Sequence, residues 1–400
     1  MSSINLLFAP SMRVGGELLK GEVELRFPQI IQDGIEEVHV KLRGKIFAKV
    51  ARQFGQSYQW RIQTIEVTKE NLSVWTKGSA YPPSGSEVLR VPFQLQLPLD
   101  VEPSCQFAGF YKKGHIAYFV EAVGVRKGML TSNRRSMRPF AVVPNDPVGA
   151  TLRAALQAGW RGQFDTHRRC EKIRKGIWGG YANVEIEAMM PDLSTFPLFV
   201  KIPITLTVVT TTKEMKYSEK DEKEKVFPEP PSEPKEIEFL LRRIVSLNAR
   251  GWAAAGTETI THLAGMGKGA AVPEEASAVS TVTTGKKWIP SETDKNVGSW
   301  EQMTIIQSYF QLNSTPSFST PILKQRNYLR CRVSFPGIGN TIETDIPIEI
   351  TSGLTTPSAD DAAPPYDGPP AVLDLPPTYW AASGWEDGDH DEKGGGDSKS

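Results

Sequence analysis

Cysteine and histidine are scarce in this sequence. The three cysteines, Cys105, Cys170 and Cys331, are an odd number set far apart in 400 residues. That spacing excludes a disulfide framework and a CxxC metal ribbon, and it points to a reducing compartment, expected to be the cytoplasm. His39, His115, His167, His262 and His390 form no HxH or HExxH pair, so no metal ligand set is drawn through them. Long apolar runs are also missing. No segment nears the roughly 20 apolar residues of a bilayer span, and the chain is expected to be soluble and unsecreted.

Catalytic signatures are equally sparse. The sequence holds neither a GxSxG elbow nor a phosphate loop of the form GxxxxGK followed by Ser or Thr. The nearest imitation, "AGMGKGA", sits in an Ala- and Gly-rich stretch with no strand or helix pattern beside it. No carboxylate pair is placed by a motif: Glu36 and Glu37, being adjacent, point to opposite sides of a strand. No catalytic residue, cofactor or metal is therefore assigned. An enzyme whose site is assembled only in three dimensions stays open as an alternative.

A net charge of zero conceals an asymmetry. From Ser352 to Ser400 there are ten Asp and Glu against two Lys, a net of −8, which leaves +8 for the rest. Between Arg126 and Lys175 stand twelve Arg and Lys against three acids, a net of +9. This segment has three readings. As a nucleic-acid site it lacks a recognisable module, so nucleic acid is not expected as a partner. As an anionic-surface site, for a membrane or an acidic tail, its contacts would be Arg134, Arg135, Arg138, Arg168, Arg169, Lys172, Arg174 and Lys175. As a solvated linker its charges would do nothing specific.

What the sequence has in abundance is alternation. "LKGEVELRF" turns Leu19, Gly21, Val23, Leu25 and Phe27 to one side and charge to the other. The same period sets Val38, Val40 and Leu42 inward, then Phe93, Leu95 and Leu97, then Val184, Ile186 and Ala188. Near the end it sets Leu329, Cys331, Val333 and Phe335 inward, followed by Ile342, Thr344, Ile346, Ile348 and Ile350. Half-buried strands of this kind belong to antiparallel sheets with one wet face. Only "TLRAALQAGW" has helical spacing, over two to three turns. The expectation is an all-β chain of two antiparallel sandwiches. The first covers residues 1–145, a basic linker 146–178, and the second sandwich 179–351 with mobile insertions near 211–236 and 252–299. A disordered acidic, Pro-rich tail covers 352–400.

Within that tail lies "AVLDLPPTYWAASGW". Adjacent prolines hold the backbone near polyproline II, so Pro376 and Pro377 lose little entropy when an aromatic groove grips them. Tyr379 adds a flat anchor. With Leu375 the run matches the LPxY/PPxY ligand of WW domains, the modules through which many HECT-type ubiquitin ligases dock substrates and adaptors. Pro364, Pro365 and Tyr366 form a degenerate second copy.

The body resembles the arrestin family, in particular the α-arrestins, or arrestin-related trafficking adaptors, of fungi. "RVGGELLKGEVELRF", "IEEVHVKLRGK", "VPFQLQLPLDVEPSCQF" and "GHIAYFVEAV" are similar in order to an arrestin N-domain. "NVEIEAMMPDLSTFPLFVKIPITLTVVTTTK", "PSFSTPILKQRNYLRCRVSF" and "TDIPIEI" are similar to a C-domain. The resemblance implies two immunoglobulin-like sandwiches and a cytoplasmic adaptor, peripherally recruited to plasma membrane or endosomes. Such an adaptor engages membrane transporter or receptor cargo and brings it a ligase, promoting ubiquitination and endocytosis. A related retromer-type scaffold, without ligase recruitment, is the alternative. No set of residues maps onto the charged core of the visual and β-arrestins.

Overall fold

Alternation in the sequence is realised as antiparallel sheet. The computed structural model describes residues 2–127, 132–176, 179–219, 227–268 and 279–356. The first half contains β1 (Ile4–Leu7), β2 (Arg13–Val14), β3 (Leu18–Arg26), helix α1 (Phe27–Asp33), β4 (Ile35–Phe54), β5 (Ser57–Thr76), β6 (Val88–Gln96), β7 (Cys105–Gly109), β8 (Lys112–Arg126), β9 (Arg134–Phe140) and β10 (Val142–Val143). Helix α2 (Pro147–Gln157) then leads to β11 (Phe164–Arg174), β12 (Tyr181–Pro191), β13 (Phe196–Pro197), β14 (Ile202–Thr211), β15 (Met215–Lys216), β16 (Ile237–Ala249) and β17 (Trp252–His262). The last strands are β18 (Ser280–Thr283), β19 (Lys287–Pro290), β20 (Val297–Phe310), β21 (Phe318–Ser319), β22 (Leu323–Ser334), β23 (Thr341–Ile348) and β24 (Ile350–Thr351).

Two larger sheets make up the first half. One has the order β1-β3-β6; the other has β5-β4-β8, with β7 and β9 each paired to β8. In the second half the orders are β11-β12-β14-β20, with β15, β18 and β19 also on β20, and β17-β16-β22, with β21 and β23 on β22. All of these pairings are antiparallel, and among the described residues only the short β10–β2 and β13–β24 pairs are parallel. Most of the inward positions read from the sequence are buried, while Gly21, Phe27 and Thr344 are half-buried. Leu19, Val23, Leu25, Val38, Val40, Leu42, Phe93, Leu95 and Leu97 lie in one core, and Val184, Ile186, Ala188, Leu329, Cys331, Val333 and Ile342 in another. Each such aliphatic side chain taken out of water stabilises the fold by roughly 1.5–3 kcal/mol.

The two cores interlock. Val245, Leu247, Ala249 and Trp252, on β16 and β17, pack into the first-half core, and Val14, Ala117, Ala141 and Val143 pack into the second. Backbones approach closely there, and the sequence answers with glycine. A Cβ on Gly114 would stand 2.7 Å from Leu323 and 2.9 Å from Leu247; one on Gly256 would stand 2.4 Å from the Phe107 ring.

Five sequence expectations are corrected by the fold. Residues 146–178 are not a linker: Asp146 caps α2 by accepting a hydrogen bond from Gly149 N at 2.8 Å, and residues 164–174 form β11, paired along its length with β12. The stretch looked like a linker because β11 exposes many cations and turns only Ile173 into the core, with Leu156 of α2 joining it there. Residues 252–262 are not a loose insertion either. They form β17, whose Ala and Gly content suits an edge strand laid against Phe107 and Lys112. Within the region near 211–236, β15 pairs with β20, and Tyr217 contacts both Trp288 and Trp300 at centroid distances of 5.3 and 5.9 Å. The tail also starts later than residue 352. Ser352 Oγ donates to Pro144 O at 2.6 Å, and Asn145 Oδ1 accepts from Thr356 N at 2.9 Å, returning the chain to the first half. Phe27, read as the end of a strand, instead opens α1, because Pro28 lacks the N–H a ladder needs; Gly34 closes the helix at φ 66°.

Candidate functional site

The eight basic residues singled out by charge counting fall on two separate strands. Arg134, Arg135 and Arg138 lie on β9 in the first half; Arg168, Arg169, Lys172 and Arg174 lie on β11 in the second, with Lys175 just beyond it. Most of them already have partners. Arg134 meets Asp33 at 2.8 Å and holds that carboxyl below its usual range, while Arg135 meets Glu121 at 3.1 Å. Arg168 bridges Glu185 and Glu187, each at 2.7 Å, because Glu187 lies directly opposite it on β12 and Glu185 lies diagonally, opposite Cys170. Arg169 pairs with Glu171, Arg174 covers the Tyr181 ring, and Lys175 lies over Phe227. Four of the eight cations thus meet acids, Arg135 and Arg168 across neighbouring strands, and two more lie over aromatic rings.

A different face carries unanswered charge. Along β4 the outward residues are His39, Lys41, Arg43, Lys45, Phe47 and Lys49, flanked by β8 positions that include Lys113 and by β5 positions that include Lys69 and Ile62. Lys41, Lys45 and Lys113 form no ion pair with a described residue. Burial and then the Arg43 charge hold the Lys41 ammonium below its usual range. His115 stacks on Phe47, with centroids 4.7 Å apart, and is pushed down to about 4, first by burial and then by Lys113 and Lys45. The signal was present in the sequence as two stretches without any acid, 38–65 and 103–120. It escaped a running charge count because its cations are spread over three strands that only pairing unites.

At the β4–β5 turn this face ends in aromatic side chains. Tyr58 stacks on Tyr111 (4.1 Å, 14° between planes), Phe110 meets Tyr111 edge-on at 4.4 Å, and Lys49 Nζ sits 4.5 Å over the Trp60 ring. On the other side the same hairpin grips the second half. Arg61 donates to Arg250 O at 2.6 Å, Gln63 accepts from Arg250 N at 2.7 Å, and the Trp252 ring lies under Arg61.

Between the halves lies a polar cluster that the sequence reading did not find. Arg243 on β16, almost fully buried, pairs with Glu258 on β17, donates to Gln106 O of the first half at 2.9 Å and meets Gln325 Oε1 at 3.3 Å. Gln325 in turn donates to Thr315 O at 3.0 Å, and Thr315 donates to Ser104 O at 3.2 Å. Cys105 faces the same glutamine; burial pushes its thiol up to about 11, so it is a packed side chain and not a thiolate. The members come from β7, β16, β17 and β22 and from the loop before β21, which is why no local motif announced them.

Leu375, Pro376, Pro377 and Tyr379, with Pro364, Pro365 and Tyr366, lie outside the described residues. Among the described residues no group of three or more His, Cys, Asp or Glu side chains is placed to hold a metal, and no helix is long and apolar enough to cross a membrane. No family model matches the chain, and no curated protein matches it.

Proposed function

We propose that the chain is an arrestin-like trafficking adaptor without an active site of its own. Its two halves are read as immunoglobulin-like sandwiches that engage membrane transporter or receptor cargo. Leu375, Pro376, Pro377 and Tyr379 recruit a WW-domain HECT-type ubiquitin ligase, with Pro364, Pro365 and Tyr366 as a second contact. The observation that carries this reading is a conjunction. An all-β, mainly antiparallel body with interlocked cores is followed by an acidic, proline-rich stretch holding a polyproline ligand with a tyrosine at the correct spacing. A rigid body suits cargo recognition on its wet sheet faces, and a pre-extended peptide suits capture of a second protein.

A short peptide of this kind binds weakly, at about −8 kcal/mol for a micromolar complex. Tandem WW domains would gain avidity, since Tyr366 and Tyr379 are thirteen residues apart and a flexible segment of that length spans roughly 20 Å. The test is capture of the full chain on an array of WW domains. Tyr379→Ala is expected to abolish capture; undiminished capture by the variant overturns ligase recruitment.

A further inference from the structure

Two acid-free stretches of sequence become neighbours in the fold. Residues 38–65 hold six Lys and Arg, and residues 103–120 hold two. Pairing of β4 with both β5 and β8 sets five of these cations, Lys41, Arg43, Lys45, Lys49 and Lys113, on one face of a single sheet, while Arg52, Arg61 and Lys112 turn to the other, toward Trp252 and Ala255. At the turn end of that sheet the outward side chains are aromatic and uncovered: Tyr58 is 40% exposed, Trp60 45% and Phe110 82%. Phe110 is held out by an uncommon backbone. Tyr111 beside it adopts φ 62°, a left-handed conformation unfavourable for a bulky residue, and is fixed there by its stack on Tyr58 and by Ala51 N donating to its carbonyl at 2.9 Å.

We propose that this crest docks on an anionic bilayer, with Phe110, Tyr58 and Trp60 entering the boundary between headgroups and acyl chains while Lys49 and Lys113 stay level with the phosphates. Tyrosine and tryptophan are suited to that boundary because one end of each ring is apolar and the other wet. Lysines on flexible stems reach lipid phosphates as point charges, and the acid-free surroundings leave nothing to repel them. A convex turn with a phenylalanine at its tip also fits a soft surface better than a peptide. One cavity is lined by Lys20, Leu72 and Phe93 and another by His167, Met190 and Phe196, and neither includes Phe110. The proposal does not depend on ligase recruitment, and it moves the lipid contact away from β9 and β11, where Arg134, Arg135, Arg168 and Arg169 are paired with acids.

The test is sedimentation of the full chain with phosphatidylcholine vesicles, with and without phosphatidylserine, at low and high salt. Binding is expected only with phosphatidylserine and is expected to fade with salt. Phe110→Ser should weaken it about tenfold, the loss expected when one large ring no longer leaves water. Lys49→Glu with Lys113→Glu should abolish it, and Arg138→Glu with Lys172→Glu should leave it nearly unchanged. Phe110 is so exposed that its replacement does not threaten folding, which keeps the test decisive even if the lysine variant is unstable. No binding by the parent protein, full binding by Phe110→Ser, or loss confined to the Arg138/Lys172 variant each overturns the proposal. So does competition by an acidic peptide that leaves Phe110 unneeded, which would make the crest a protein site. Tyr379→Ala should bind vesicles normally, so failure of one reading is distinguishable from failure of the other.

Discussion

β4 and β11 are both cation-rich strands, and the difference between them lies in their neighbours. β11 is an edge strand whose one partner, β12, presents Glu185 and Glu187 to Arg168. β4 is central, flanked by β5 and β8, yet Lys45 faces Ala117 on one side and only Glu66 on the other, without an ion pair. In sequence the β11 segment looks the more basic, because its cations are consecutive. In the fold it is the more neutral. Whether a run of Lys and Arg is a site is decided by the strand opposite, through cross-strand pairing of charge.

The sharpest way to test the value of a partner is a cation that is both buried and paired. Arg243 combines the two, contacting Glu258, Gln325 and the Gln106 carbonyl from opposite halves of the molecule. Arg243→Ala would leave Glu258 and Gln325 without their donor, and breaking a buried pair from one side costs about 3 kcal/mol. Urea unfolding is expected to show that loss in the midpoint. Because the cluster joins the halves, the transition should also lose cooperativity, which would show as a changed slope. A midpoint within error of the parent protein would mean that the cluster is no clasp.

His115 measures the unpaired face from within. Its folded value of about 4 is below the ordinary 6.5, owing to burial and then to Lys113 and Lys45. As pH falls from 6.5 towards 4 the unfolded chain takes up a proton that the folded chain refuses, so stability declines across that window by at most about 3 kcal/mol. Above pH 6.5 the contribution is fully present. His115→Gln should flatten this part of the stability profile, read as the unfolding midpoint against pH. A parallel profile in parent and variant would show that the β4–β8 face does not depress the imidazole.

These two regions also show how far the sequence could be read. Period-two alternation was enough to place Val38, Val40, Leu42, Leu329, Cys331 and Val333 in cores, since a strand with one dry face leaves a local signature. The spacing of "TLRAALQAGW", residues 151–160, likewise showed the later turns of the helix at 147–157, though not its start at Pro147. β17 was not, because Ala253, Ala254, Ala255 and Gly256 are small to let another backbone approach, and small residues mimic a loop. The Arg243 cluster and the crest were hidden for a related reason. Their members are far apart in sequence, such as Gln106 with Gln325 and Trp60 with Phe110, and only the topology joins them.

The smallest expected effects give the most direct contrast, because they differ in sign. Arg168→Gln removes a cation flanked by two carboxylates and should lower the melting temperature slightly. Lys45→Gln removes one that has no ion pair of its own and shares its face of β4 with Arg43 and Lys49, and should leave the melting temperature unchanged or raise it slightly. Exposed pairs stabilise little in water, so each shift is expected to be on the order of one degree. Salt supplies the discriminating variable. Screening weakens attraction at Arg168 and repulsion around Lys45 alike, so the two shifts should converge on zero near 1 M salt, where the Debye length is about 3 Å. Shifts of the same sign at low salt would mean that the acids facing β11 do not set it apart from β4, and the contrast between paired and unpaired cations would fail.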